Sequence, residues 1–236
     1  FDDEIKEFIR ISETFAQDYV RKSVEEMRRS YNEMAEHFKQ VRPPCVKVED
    51  KEVSFKERSL LYRHYSTSAD NKSDLIYFHG GGFVLGGLES HDDICAEICD
   101  STSCNVFSLD YSLAPEEKYP EFFLDAIRFY YFIKDPERRL ILMGDSAGGT
   151  LAGFVTNKVR NIAIRPEAQV LIYPDLAGNI IGPNKRNFFD APLLTQDDID
   201  FYHRYAGLPP EKGLHDLVRN FDHDNMPKTL LVGAQI

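Results

Sequence analysis

Ser146 stands at the centre of the pentapeptide Gly-Asp-Ser-Ala-Gly, residues 144–148, which directly follows a short apolar run. A chain that turns abruptly from a strand into a helix strains its central residue and tolerates only small residues two positions before and after it. Gly144 and Gly148 meet that demand. The following helix would point its first N–H groups, including that of Ala147, towards negative charge forming beside the serine. The pattern predicts a nucleophilic serine, although such pentapeptides are also common by chance.

A glycine run, residues 80–82, is the second element that could do chemistry, because it follows an apolar run and His79. Glycines leave consecutive backbone N–H groups free of side-chain obstruction. The N–H groups of Gly80 and Gly81, together with that of Ala147, can hold an oxyanion. A flexible loop or a phosphate cradle is the alternative, but the chain contains neither GxxxxGK[ST] nor GxGxxG.

Short apolar runs alternate with segments of helical length from Leu75 onward. This alternation indicates an α/β fold with a mostly parallel sheet covered by helices. The predicted strands are Leu75–Phe78, Val106–Leu109, Leu140–Met143, Val170–Tyr173 and Thr229–Val232. The predicted helices are Glu89–Ser101, Pro120–Ile133, Ala147–Val159 and Thr195–Ala206.

The first part of the chain has a different pattern. Residues 3–38 contain no Pro or Gly and repeat apolar residues at helical spacing, which predicts two helices. Pro43 and Pro44 end this region. The alternating runs within 45–55 and 59–66 then predict an antiparallel hairpin.

The stretch 175–194 is a long excursion that contains several Gly, Pro and Asn residues. Long connections at strand ends often cover an active site. Phe188 and Phe189 lie in it, and with Phe83 they are the candidates for lining an apolar substrate pocket.

Composition limits the classes of partner. The chain has 236 residues with 42% apolar content, which suits one globular domain. Its formal net charge is -11 and it has no basic tract, so nucleic acid is not an expected partner. It has no apolar run of about 18 residues, so no membrane span is expected. The N-terminus lacks the features of a signal peptide, but the first residue is not Met, which leaves a trimmed leader open.

The cysteines Cys45, Cys95, Cys99 and Cys104 form no CxxC pair. A disulfide framework is not expected at this length, which favours a reducing compartment and a cytoplasmic location. Together with His91, two of these cysteines are spaced to share one helix face, which suggests a metal site. The simpler interpretation is that this face packs inward, because free Cys is among the most buried residue types.

Motifs in a fixed order give the chain a resemblance to a known family. HGGGF at 79–83, DYSLAPE at 110–116 and GDSAGG at 144–149 resemble the hormone-sensitive-lipase-like branch of the α/β-hydrolases, whose carboxylesterases cleave small acyl esters. One departure is Ser112, where the family usually has Arg. This difference puts a local salt bridge in doubt more than the chemistry.

The resemblance implies roles for individual residues. Ser146 would be the nucleophile, and the backbone N–H groups of Gly80, Gly81 and Ala147 would form the oxyanion hole. His79 would anchor the glycine loop and would not act as the base.

The resemblance also implies a domain organisation. Residues 1–42 would form a helical cap, residues 43–236 an α/β-hydrolase core, and residues 175–206 would contribute to the cap. The implied partner is a small-molecule ester substrate, with no metal and no organic cofactor. The sequence does not indicate an oligomeric state.

A serine hydroxyl is a poor nucleophile until a base, itself oriented by a carboxylate, takes its proton. In this family both groups follow the strand that corresponds to 229–233. We therefore expect the acid and the base after Ile236, and the C-terminal part of the fold to be missing from the chain. Internal alternatives also follow the nucleophile: His203, His215, His223, Asp216, Asp222 and Asp224. Most of these lie in a charged segment that is more simply a solvated loop, and His203 is more simply a surface or cap residue.

The expected reaction is acyl transfer from a short-chain ester to water through an acyl-enzyme on Ser146. An amide or formamide hydrolase is an alternative, because the motifs describe the reaction intermediate and not the leaving group. A non-catalytic small-molecule receptor, or a decayed enzyme that has lost its histidine, is another. The residues that follow Ile236 discriminate between enzyme and receptor.

Overall fold

A seven-stranded sheet lies at the centre of the computed structural model of the chain. Its strands are β1 (Lys47–Ser54), β2 (Ser59–Ser66), β3 (Ser73–Phe78), β4 (Asn105–Asp110), β5 (Arg139–Asp145), β6 (Ala168–Ile172) and β7 (Lys228–Val232). They follow the order β1-β2-β4-β3-β5-β6-β7. Strand β2 is antiparallel to both of its neighbours, β1 and β4, and strands β3 to β7 run parallel to one another. The predicted hairpin and the predicted parallel sheet are both confirmed.

Helices pack on both faces of this sheet. They are α1 (Asp3–Ala16), α2 (Val24–Phe38), α3 (Asp92–Thr102), α4 (Glu121–Ile133), α5 (Ala147–Val159), α6 (Gln196–Ala206) and α7 (Leu217–Asn220). The structure describes residues 2–16, 22–56, 58–67, 72–176, 190–210, 213–220 and 222–233. Within those ranges, no helix is long and apolar enough to cross a membrane.

The starts of the helices follow from local sequence. The Ser23 side chain accepts a hydrogen bond from the Glu26 N–H, and the Glu26 carboxylate accepts one from the Ser23 N–H, which fixes the start of α2. Thr195 and Asp198 begin α6 in the same way. The predicted helices are confirmed, but α3 begins at Asp92, later than predicted, because residues 88–91 form a turn.

The parallel strands bring the candidate residues to one edge of the sheet. β5 pairs with β3 on one side, where Gly144 lies opposite Phe78, and with β6 on the other. The residues that follow these three strands are His79, Ser146 and Tyr173. They meet at the carboxyl edge, which is where open α/β sheets bind their ligands.

The two faces of the sheet bury different side chains. On one face α4 contributes the fully buried rings of Phe122 and Phe123 to a large aromatic core. On the other face Cys95 and Cys99 of α3 pack in a smaller core with Val106. Burial raises the pKa of both thiols, so they stay protonated. The interpretation that this face of α3 packs inward is confirmed.

Ser112 lies in the segment that connects β4 to α4. Its N–H and its hydroxyl donate to Oδ2 of the buried Asp125 at 3.2 and 2.6 Å. The same carboxylate lies 3.0 Å from the Arg58 guanidinium and 2.9 Å from that of Arg128. Arg58 and Arg128 therefore form the local salt bridge that the absence of an arginine at position 112 puts in doubt.

Arg28 ties α2 to the carboxyl edge of the sheet. Its guanidinium donates to the carbonyl oxygens of Val84 and Ala114, each at 2.9 Å. It also forms a bidentate pair with Glu116 at 2.7 Å. These contacts hold the N-terminal helices against the loop that follows the glycine run, because a bidentate arginine fixes both position and orientation.

The segment before β7 differs from the sequence prediction. The charged sequence predicts a solvated loop, but His215 and Asp216 are only 2% and 1% exposed. The N–H of Leu217 donates to the Leu176 carbonyl at 2.9 Å, which draws this segment inward. The prediction is wrong for His215 and Asp216 because contacts with distant residues, and not local polarity, decide their burial. It holds for residues 222–224, which are exposed.

Candidate active site

Ser146 sits on a sharp turn between β5 and α5. Its backbone has φ 51° and ψ −121°, a combination that residues with side chains rarely adopt. Its N–H donates to the Ile172 carbonyl at 2.8 Å, which ties the turn to the neighbouring strand. The turn thus presents the serine at the N-terminus of α5 in the strained geometry that the pentapeptide predicts.

The glycines two positions before and after the serine are required by close packing. A Cβ atom on Gly148 would overlap the Phe78 carbonyl oxygen and would lie 2.5 Å from that of His79. A Cβ atom on Gly144 would lie 2.6 Å from the Phe78 oxygen. The obstructing atoms belong to the backbone at the end of β3 and cannot rotate away. This tight contact brings the glycine run next to Ser146.

The glycine run turns back sharply after β3. Gly81 and Gly82 have φ values of 117° and 62°, in the left-handed region that favours glycine. A Cβ atom on Gly81 would overlap the Leu85 carbonyl oxygen, and one on Gly82 would lie 2.6 Å from the Tyr202 ring. The Gly81 carbonyl accepts hydrogen bonds from the N–H groups of Val84 and Leu85, which fixes the turn.

The N–H groups of the run do not all face the same way. The Gly80 N–H donates to Oδ1 of Asp145 at 3.0 Å, and Gly80 does not line the cavity beside the serine. Gly81, Gly82 and Ala147 do line it. Within the described ranges, the N–H groups of these three residues donate to no protein group. The structure therefore offers Gly82 in place of the predicted Gly80 as the partner of Gly81 and Ala147.

His79 is fully buried beneath the run. Its Nδ1 donates to the Gly80 carbonyl at 2.8 Å, and its ring stacks on Tyr111 with 4.2 Å between centroids. The Tyr111 hydroxyl in turn donates to the His79 carbonyl at 2.7 Å. Burial, reinforced by the nearby His91, lowers the pKa of His79 to about 3. The ring is neutral at neutral pH, and its Nδ1 is occupied by the loop.

A cavity of about 680 Å³ opens beside Ser146. Its walls are mostly apolar and come from α1, α2, the region of α6 and the end of β7: Phe8, Ala16, Tyr31, Met34, Leu194, Ile199, Tyr202, Leu231 and Val232. Phe83 also lines it, with its ring stacked on Phe122 at 4.5 Å. The other two predicted pocket residues, Phe188 and Phe189, lie outside the described residues.

Two of the internal histidines reach this cavity. His203 of α6 and His215 both line it, and their rings meet edge to face at 5.6 Å. His203 Nε2 lies 2.9 Å from Oδ2 of Asp175, so an acid–imidazole pair shares the cavity with Ser146. His223 lines a separate cavity of about 210 Å³ and is not brought to the serine.

Sequence reasoning misses two features of the site. One is the contact between Asp145 and Gly80: both residues belong to the quoted motifs, but nothing in the motifs indicates that they are in contact. The other is the pair of Asp175 and His203. The only feature of the sequence that points to this pair is the position of Asp175 after a predicted strand, at the edge of the sheet where ligands bind.

Residues 75–236 match the model of a protein family described as the alpha/beta hydrolase fold. The chain is similar to the ethyl acetate hydrolase of Pseudomonas putida, with 32% identity over 149 residues that cover 58% of the chain and 46% of that enzyme. It is 36% identical to esterase LipI of Mycobacterium tuberculosis over 142 residues, 56% of the chain and 44% of that protein. The chain thus spans about half the length of these curated relatives. Its structure is similar to that of a hyperthermophilic esterase from Pyrobaculum calidifontis, with TM-score 0.85, 25% identity, and coverage of 98% of this chain and 79% of that one.

Proposed function

The chain belongs to the alpha/beta hydrolase family, and on that basis we propose that it is a serine hydrolase of carboxylic esters with Ser146 as nucleophile. One observation carries the proposal. Ser146 stands on a strained turn in the wall of a cavity that Gly81, Gly82 and Ala147 also line. Relatives named as ethyl acetate hydrolase and esterase support an ester as the substrate.

In the proposed reaction, Oγ of Ser146 attacks the acyl carbon of the ester. Negative charge then develops on the former carbonyl oxygen, and the N–H groups of Gly81, Gly82 and Ala147 donate to it. The bond to the alcohol oxygen then breaks, the alcohol leaves with the proton taken from Oγ, and the acyl group remains on the serine. Water next attacks the acyl carbon, the same N–H groups stabilise the second oxyanion, and the bond to Oγ breaks as its proton is returned. The base that takes the Oγ proton and the acid that orients it are predicted after Ile236, and this remains a prediction.

The cavity suits a short, uncharged acyl ester. Its volume of about 680 Å³ and mostly apolar walls would accommodate a small acyl chain together with the alcohol group. The N-terminal helices and α6 contribute those walls, which supports a cap formed by residues 1–42 with a contribution from 175–206. The buried, unpaired Cys95, Cys99 and Cys104 support the predicted reducing, cytoplasmic location.

A panel of matched esters and amides tests the proposal. The full-length protein is expected to hydrolyse p-nitrophenyl acetate and butyrate and to act far more slowly on the corresponding anilides, measured as kcat/KM. Faster turnover of the anilides would favour an amide hydrolase. Saturable ester binding with no turnover would favour a small-molecule receptor.

Replacing His203 by leucine is expected to raise KM for these esters and to lower kcat by less than about tenfold. The reason is that His203, held by Asp175, lines the cavity wall, whereas the base is predicted elsewhere. Loss of a general base would lower the rate by about 10²–10⁴-fold.

Steady-state kinetics of His203→Leu and Asp175→Asn, beside the unaltered protein, measure this difference. A fall in kcat as large as that caused by Ser146→Ala would identify His203 as the base. It would also overturn the expectation that the base follows Ile236.

A further inference from the structure

Asp145, the residue before the nucleophile, is buried beneath the glycine loop. Its Oδ1 accepts hydrogen bonds from the Tyr77 hydroxyl at 2.8 Å and from the Gly80 N–H at 3.0 Å. His91 Nε2 lies 3.5 Å from the same oxygen atom. One carboxylate oxygen thus gathers donors from β3, from the glycine loop and from the start of α3.

The Asp145 carboxylate is ionised at neutral pH. Burial alone would raise its pKa, but the hydrogen bond and electrostatic attraction from His91, together with the hydrogen bond from the Tyr77 hydroxyl, hold the pKa below its ordinary value. Asp145 also lines the cavity with Ser146, so a fixed negative charge lies in the wall of the cavity in which a second negative charge would form on the substrate. An uncompensated negative charge in this wall would oppose the oxyanion, because two like charges repel each other strongly where water is excluded.

His91 is placed to offset that charge. The residue is 4% exposed, and its Nδ1 lies 2.9 Å from the Ser90 hydroxyl. The Ser90 oxygen also accepts a hydrogen bond from the Gly87 N–H at 3.1 Å. A hydrogen bond at one ring nitrogen of a histidine fixes the orientation of the ring and determines which of its two nitrogens carries the proton. Because the Asp145 carboxylate can only accept, the ring proton of His91 is assigned to Nε2, and the single proton of the Ser90 hydroxyl is donated to Nδ1.

The backbone of Gly80 is held on both sides. Its N–H donates to Asp145, and its carbonyl accepts from His79 Nδ1. A Cβ atom at Gly80 would overlap Oδ2 of Asp145, so the carboxylate also sits directly against the backbone. The Gly80 carbonyl shares a peptide plane with the Gly81 N–H, so holding Gly80 on both sides fixes the direction of that N–H. The Gly82 N–H shares its plane with the Gly81 carbonyl, which accepts from Val84 and Leu85.

We propose that Asp145 and His91 are positioning residues of the oxyanion hole with two separate roles. Asp145 holds Gly80 in place and so, together with His79 at the Gly80 carbonyl, directs the N–H group of Gly81 into the cavity. His91 offsets the carboxylate charge, so that the group holding the loop does not oppose the oxyanion. The inference rests on the proposed ester hydrolysis, since it assigns both residues to the oxyanion hole of that reaction.

Two substitutions at Asp145 separate its hydrogen bonds from its charge. Asp145→Asn keeps an acceptor for Gly80 and Tyr77, so kcat of the full-length protein on p-nitrophenyl butyrate is expected to stay within about tenfold of the unaltered value. Asp145→Ala releases the Gly80 peptide and is expected to lower kcat by about 100-fold, the effect of losing an oxyanion donor. KM is expected to change little in either variant.

Substitutions at His91 test the second role. His91→Leu leaves the Asp145 charge without its partner and is expected to lower kcat by about tenfold, whereas His91→Gln keeps an N–H donor and is expected to recover most of that loss. The double variant Asp145→Asn/His91→Leu is expected to be no slower than Asp145→Asn alone, because there is no charge left to offset. Additive losses in the double variant would overturn the role of His91.

Binding of a trifluoromethyl ketone separates positioning from simple loss of structure. This inhibitor forms a tetrahedral oxyanion on the serine, so its affinity is expected to fall in parallel with kcat/KM across the variants. Cys99→Ala, a substitution in the same core of α3, is the control: it is expected to lower the thermal midpoint without changing kcat.

The outcomes keep the two proposals distinct. If the unaltered protein hydrolyses no ester, the proposed function fails. If it hydrolyses esters and a folded Asp145→Ala retains full kcat and inhibitor affinity, the positioning role alone fails. If Asp145→Ala does not fold, kcat and inhibitor affinity of Asp145→Asn and of the His91 variants test the two roles.

Discussion

Replacing Ser146 by alanine is expected to lower kcat for ester hydrolysis by about 10⁴-fold or more. The substitution removes the atom that forms the acyl-enzyme in the proposed reaction, while the N–H groups of Gly81, Gly82 and Ala147 are expected to keep their places. The residual rate should come from substrate binding and oxyanion stabilisation alone. The measurement is kcat/KM on p-nitrophenyl butyrate with the full-length protein, together with covalent labelling by a fluorophosphonate.

A matched control shows that the effect belongs to the nucleophile. Ser108→Ala removes the hydroxyl of another buried serine, which lies on β4 and does not line the cavity. It is expected to keep both turnover and labelling. Ester hydrolysis that survives in Ser146→Ala at more than about a tenth of the original rate would rule out an acyl-enzyme on Ser146.

The parts of the fold that could be predicted from the sequence depend on short-range patterns. β3, β5 and β6 appear as apolar runs because both faces of a central parallel strand are buried. The turn at Ser146 could be predicted because Gly144 and Gly148 stand at the spacing that a strand-to-helix turn demands. α6 was predictable from the helical length of its segment, and its first turn is fixed by the box of Thr195 and Asp198.

The details of the site that could not be predicted depend on contacts between distant residues. Gly80 and Asp145 are 65 positions apart, and their hydrogen bond occupies the Gly80 N–H. No local pattern contains that information, and for this reason the proposed donor pair of Gly81 and Gly82 differs by one residue from the predicted pair of Gly80 and Gly81. The burial of His215 has the same cause: the charged neighbours indicate solvent, but packing against His203 draws the ring inward.

Replacing Gly148 by alanine is expected to destabilise the protein by about 3 kcal/mol or more, because overpacking against rigid backbone is costly. The added Cβ atom would overlap the Phe78 carbonyl oxygen, and neither β3 nor the first turn of α5 can give way without moving the other. Urea unfolding measures the change in the free energy of unfolding, and ester hydrolysis measures the accompanying loss of activity.

Gly87→Ala is the matched control for this prediction. A Cβ atom there meets nothing closer than Oδ1 of Asp110 at 3.6 Å, so stability is expected to stay the same or rise by about 0.5 kcal/mol. In the folded fraction of Gly148→Ala, kcat/KM is expected to fall by about 100-fold, because displacement of the start of α5 by about 1 Å moves Ser146 and the Ala147 N–H away from the glycine loop. If Gly148→Ala were as stable and as active as Gly87→Ala, the close contact between β3 and α5 would not exist, and the oxyanion hole that depends on it would have to be placed elsewhere.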